Sequence, residues 1–145
     1  MKTLYTAEVQ VIGGRTGHAR SSAGSLSVDL STPPEMGGLG GDGTNPEQLF
    51  AAGYGACFES ALMGAARRAH VEADHAIVTA RVGIGPVGDG AYGLSVELRV
   101  YLPGVARSTA EQLVAEADRI CPYSNAVRGN VPVQLVVEES APAAW

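Results

Sequence analysis

One stretch, residues 45–70, limits what this chain can fold into. It reads NPEQLFAAGYGACFESALMGAARRAH. Asn45 suits a helix N-cap, Pro46 the first helical position, and Gln48 the place from which a capping-box side chain reaches back. Arg67, Arg68 and His70 supply the cations that a helix C-terminus favours. At about 1.5 Å per residue the run is roughly 38 Å long, comparable with the diameter of a compact chain of this length, so the helix must cross the domain. Phe50, Tyr54, Phe58 and Leu62 recur every four residues as a bulky stripe. Gly53, Cys57, Ala61 and Ala65 form a small stripe beside it, and Ala52, Ala56, Ser60 and Gly64 form another. Residues four apart share a helix face, so the small stripes are expected to admit another backbone and Cys57 points into that tight contact. A helix apolar on most sides is a buried helix. A membrane span is set aside because Glu59 lies mid-run, where an ionised group is costly in a bilayer.

The whole chain, 145 residues, is long enough for one domain, residues 1–145, with its own core. Residues 3–12 alternate, with Tyr5, Ala7, Val9 and Val11 on one face, and predict a half-buried strand. Gly13-Gly14 breaks it and puts Arg15 on a bend. Return strands are expected over 18–22 and 25–30. Residues 31–44, STPPEMGGLGGDGT, are a long loop. Its glycines precede a helix, but the Lys-Ser/Thr pair of a phosphate-binding loop is missing. Residues 76–87 and 91–102 predict a hairpin across Gly88-Asp89-Gly90. Ser108 to Glu111 has the form of a capping box ahead of a helix whose inner face carries Ala110, Leu113, Val114, Ala117, Ile120 and Cys121. Pro122 ends that helix, and 131–138 is a last strand. Strands, helix, hairpin, helix and strand in that order define an α+β chain rather than an alternating one.

Net charge is −5, which argues against nucleic acid as a partner. The N-terminus lacks the uninterrupted apolar core of a signal peptide, so a cytoplasmic protein without structural disulfides is expected. The two cysteines, Cys57 and Cys121, then admit four readings. They are inert core residues; or zinc ligands, although His18, His70 and His75 complete no ligand pattern; or a dithiol exchanger, which normally separates its cysteines by two residues; or a reactive thiolate and its resolving partner. The last needs a cation, because burial on an apolar helix face raises a thiol pKa. That cation in turn needs a carboxylate. Arg15 and Glu47 are on offer, and spacing alone does not pair them.

The segment GDGTNPEQLFAAGYGACFESAL, followed by CPYSNAVRGN some sixty residues on, resembles the organic hydroperoxide resistance proteins of the Ohr/OsmC superfamily. The likeness runs from the first strand to the last, and Gly55 stands where the family has alanine. It implies antiparallel sheets wrapped around a long central helix in an intertwined homodimer. It also implies a peroxidatic Cys57, a resolving Cys121, an activating Arg15 and a Glu47 that orients it. No metal or cofactor is implied. The expected substrates are alkyl and fatty-acid hydroperoxides, and the expected reductant is a lipoylated protein or another dithiol, with no membrane partner. The residues themselves offer Phe50, Tyr54 and Phe58 as apolar wall for such a substrate, with plain core packing as the alternative for Tyr54 and Phe58. Two rivals stay open: an OsmC-like peroxidase with a different peroxide preference, and a non-catalytic lipid-binding protein.

Overall fold

The computed structural model describes residues 1–145, and its contacts fall into two compact units, Met1–Leu49 and Phe50–Trp145. The first unit holds strands β1 (Val9–Ile12), β2 (His18–Ser21) and β3 (Ser27–Asp29) in one antiparallel sheet of order β1-β2-β3. Residues 1–8 take no regular structure and every residue of β1 is exposed. The expected half-buried strand over 3–12 is therefore less than half as long and covered on neither face. Alternation states which residues share a side, while burial requires a second surface to meet it. Ala19 and Leu30 are the buried apolar residues of this unit.

The expected central helix is α1 (Pro46–Arg68). Asn45 caps it, its Oδ1 accepting the Gln48 backbone N–H at 2.8 Å. The Gln48 side chain accepts from the Thr44 hydroxyl instead of reaching back to Asn45. The helix stops at Arg68, short of His70. His70 takes a left-handed φ of 56°, and the Val71 N–H turns back to the Ala66 carbonyl. By length and composition α1 could cross a membrane, yet Tyr54, Phe58, Leu62, Ala65 and Ala66 are buried in protein.

What buries them is the second unit's own sheet. Strands β4 (Ile77–Gly88) and β5 (Ala91–Tyr101) form a hairpin closed by Asp89-Gly90, whose φ values of 51° and 77° are those of a two-residue loop matched to strand twist. Strand β6 (Val133–Glu138) joins the other side of β5 in parallel, so this sheet is mixed where antiparallel pairing is expected throughout. Helix α2 (Arg107–Ile120) intervenes between β5 and β6 and permits the parallel return. Val96, Leu98 and Val100 of β5 pack with Tyr54, Phe58 and Leu62 and with Ala110, Leu113, Val114 and Ala117 of α2. Each large side chain contributes about 1.5–3 kcal/mol by leaving water. The expected capping box at Ser108 does not form. Helix α2 starts after Ala106, two residues before the expected cap, with no side-chain cap. Arg107 instead bridges Glu111 and Glu139.

Candidate active site

Cys121 sits at a corner. Pro122 has no N–H to continue α2, so the chain turns at Cys121 (φ −64°, ψ 123°) and starts the short helix α3 (Pro122–Val127). The Cys121 N–H still bonds the Ala117 carbonyl, and its own carbonyl accepts from Asn125. A buried hydrogen bond between Tyr54 Oη and Ser124 Oγ, 2.9 Å long, ties the start of α3 to α1. Tyr123 closes the same join from the other side. Its ring meets Phe50 and Tyr54 with centroids 6.1 and 5.7 Å away. Its phenol lies over Gly53, where an added Cβ would come within 2.8 Å of the hydroxyl. The small stripe of α1 thus admits Tyr123, and that approach brings the two sulfurs together.

Cys121 is fully buried and Cys57 partly so, and both are free thiols. Their Sγ atoms are 3.6 Å apart, with Cys121 donating to Cys57. A disulfide needs about 2.05 Å, so the pair is reduced and needs to close by roughly 1.5 Å to bond. Burial pushes the Cys57 thiol up. The Tyr123 backbone N–H pulls it partly back down, and the Cys121 thiol raises it further. The groups acting on this sulfur all belong to residues 50–145.

Residues 1–49 carry a second cluster. Arg15 lies in the single 3-10 turn Gly14–Thr16 between β1 and β2, entered through Gly13 in a left-handed conformation (φ 81°). Its guanidinium meets Glu47 of the first turn of α1 in a two-point bridge: Nη2 to Oε1 at 2.7 Å and Nη1 to Oε2 at 2.9 Å. This fork geometry is the strong form of the pair. Arg15's hydrogen bonds hold the Glu47 carboxyl below its ordinary range against the opposing effect of burial, and Glu47 holds the guanidinium up. Arg15 Nη1 also points at Met36 Sδ, 3.9 Å away.

The sequence-expected residues therefore fall into two sets. Cys57 and Cys121 come together, and so do Arg15 and Glu47. Phe50 is half-buried, whereas Tyr54 and Phe58 have no exposed surface and serve the core, Tyr54 also holding Ser124. Tyr123, Ser124 and Met36 were not singled out from the sequence. The first two stand inside the CPYS segment, directly after the cysteine that drew attention. Met36 lies in a loop where spacing gives no hint of a partner. No group of three or more His, Cys, Asp or Glu side chains gathers as a metal site.

With this geometry in view, likeness to known proteins becomes informative. A family model for OsmC-like protein matches residues 39–136. An organic hydroperoxide resistance protein of Xanthomonas axonopodis pv. citri is 48% identical over 137 residues, 94% of this chain and 96% of its own. The crystal structure of an organic hydroperoxide resistance protein from Elizabethkingia anophelis, with crystallant-derived thiocyanate bound, matches with a TM-score of 0.91 at 46% identity, covering 97% of this chain and 100% of that one. Bacillus subtilis OhrB matches at 0.86 and 42% identity, covering 94% and 100%. Such a fold around a two-cysteine corner defines an Ohr/OsmC-type protein. This chain belongs to the Ohr/OsmC superfamily, on the branch of the organic hydroperoxide resistance proteins.

Proposed function

We propose that this chain, as one domain over residues 1–145, is a thiol peroxidase that reduces alkyl and fatty-acid hydroperoxides to alcohols. The observation that carries the reading is the reduced pair Cys57–Cys121, 64 positions apart in sequence and 3.6 Å apart in space. Relatives named organic hydroperoxide resistance proteins support an organic hydroperoxide as the substrate.

In the first step the Cys57 thiolate attacks the terminal peroxide oxygen. The O–O bond breaks, the leaving alkoxide takes a proton and departs as ROH, and Cys57 is left as a sulfenic acid. Cys121 then condenses with it, releasing water and forming the disulfide. A lipoylated protein or another dithiol reopens that bond by exchange. Burial pushes the Cys57 thiol up, so ionisation calls for a cation. Arg15 is the candidate, oriented by Glu47 and able to donate to peroxide oxygen as charge develops. Phe50, with Tyr54 and Phe58 behind it, is the proposed apolar wall. The proposed working form is a cytoplasmic homodimer. The exposed stripe Ala52, Ala56 and Ser60 and the uncovered apolar residues Val9, Val11 and Ile12 support a second copy.

Thiol titration before and after one equivalent of cumene hydroperoxide tests the cycle. Loss of both thiols with a mass loss of two hydrogens is the expected outcome, and an unchanged count rejects it. The role of Arg15 has its own test. Arg15→Gln is expected to slow alkylation of Cys57 near neutral pH and to move its pH midpoint upward. An unmoved midpoint removes Arg15 from the mechanism.

A further inference from the structure

We infer that Met36 is a second sulfur oxidised by organic hydroperoxide, selected by the same guanidinium. The inference takes its oxidant from the peroxidase reading, but its geometry lies wholly within residues 1–49. The three methionines of the chain differ in a way that exposure does not order. Met1 is fully exposed, Met63 is 39% exposed, and Met36 is half-buried. Met36 is the methionine whose sulfur accepts a hydrogen bond from a cation, Arg15 Nη1 at 3.9 Å from Sδ.

That contact is built by its loop. Met36 ends the single 3-10 turn Pro34–Met36, stiffened by Pro33 and Pro34 and closed by Gly37 at φ 80°. The Gly38 and Gly40 N–H groups return to the Pro33 and Thr32 carbonyls, and the Thr32 hydroxyl donates to the Arg15 carbonyl. The loop is therefore fastened to the residue it covers. The Arg15 side chain retains 36% exposure and Met36 is half-buried, so solvent reaches the guanidinium that the sulfur touches.

The step balances without another reactant. A Met36 sulfur lone pair attacks the terminal oxygen of ROOH, an S–O bond forms and the O–O bond breaks. The hydroxyl proton passes to the departing alkoxide, giving ROH. Sulfur is oxidised by two electrons and the peroxide is reduced by two. Arg15 donates a hydrogen bond to the alkoxide oxygen as charge builds there. The product is methionine sulfoxide, which sulfoxide reductases reverse. Its oxygen is a much stronger acceptor than a thioether, so Arg15 becomes held by two oxygen acceptors, Glu47 and the sulfoxide.

The test uses Cys57→Ser, which stops the thiol cycle from consuming peroxide. Cumene hydroperoxide is added and oxygen gain is followed at each methionine by peptide mass mapping. Met36 is expected to oxidise severalfold faster than Met1 and Met63, and to lose that lead in Cys57→Ser/Arg15→Gln. Arg15→Lys, which keeps the charge without the fork, is expected to fall between and covers the case where Arg15→Gln misfolds. Rates that follow exposure, with Met1 first and Met36 last, overturn the proposal, as does a Met36 lead that survives loss of Arg15. A failed thiol titration in the wild type would leave these rates untouched, so the two readings fail separately. In the intact chain, oxidised with its cysteines held as the disulfide and then reduced, turnover is expected to drop severalfold relative to identically treated Met36→Leu. Equal turnover overturns the regulatory consequence.

Discussion

Residues 1–49 and residues 50–145 are built on different principles. In the first unit, a three-stranded sheet and a glycine-rich loop are joined mainly by backbone hydrogen bonds and the Arg15–Glu47 bridge, with Ala19 and Leu30 as its buried apolar residues. In the second, seventeen buried residues form one continuous core that includes Cys121 and packs against Cys57. Cys121 is closed to water, while Cys57 and the Arg15–Glu47 bridge are only partly buried. The separation has a physical cost on each side. A guanidinium in a dry core would need full pairing, while a thiol in a dry core is held protonated. Under the proposed cycle, the Arg15 guanidinium must ionise the Cys57 thiol.

The sharpest way to break this division of labour is Cys57→Ser, which is expected to abolish peroxide turnover with a dithiol donor while leaving thermal unfolding close to wild type. Cys121→Ser is expected to retain the first attack but accumulate over-oxidised Cys57, read as two or three added oxygens by mass. Next in size is a test of the second unit's core. Phe58→Ala removes a ring with no exposed surface and is expected to cost about 3–5 kcal/mol in denaturant unfolding. A loss under about 1 kcal/mol would mean that the core is not the stabilising element it is taken to be here.

A smaller effect is expected at the join between α1 and α3. Tyr54→Phe strands the buried Ser124 hydroxyl and is expected to cost about 1–3 kcal/mol. Adding Ser124→Ala should recover part of that loss, and strict additivity of the two would deny the hydrogen bond its role. The smallest effect belongs to the first unit. Glu47→Gln removes a partly exposed pair and is expected to cost under about 1 kcal/mol at neutral pH. Glu47's folded pKa lies below its unfolded one. Its contribution is therefore present above the ordinary carboxylate range and is lost as pH falls through the lower folded value. Wild type and Glu47→Gln should converge in stability in acid, and a gap that persists there would show that the lost stability is not ionic.

Much of the second unit was legible because its signals are local. The four-residue recurrence of Tyr54, Phe58 and Leu62, the Asp89-Gly90 hairpin and the stop at Pro122 each depend on neighbours within a few positions. Where reading failed, a distant surface was the deciding factor. Ser108 had the right spacing for a cap, but Arg107 found Glu139 as well as Glu111 and the helix started earlier. The alternation over 3–12 was real, yet no surface of its own unit covers β1.

Sequence alone determined the α+β order of elements, the long capped helix bearing Cys57 and the family to which the motifs point, because periodicity, caps and turn residues act through adjacent backbone. Tertiary structure decided that Cys121 faces Cys57 at 3.6 Å, that Arg15 forks onto Glu47 and touches Met36, and that Tyr123 rather than a backbone fills the small stripe at Gly53. Those pairings join positions 21 to 70 residues apart. No local preference encodes them, and they exist only once packing has met the entropy of closing the loops between them.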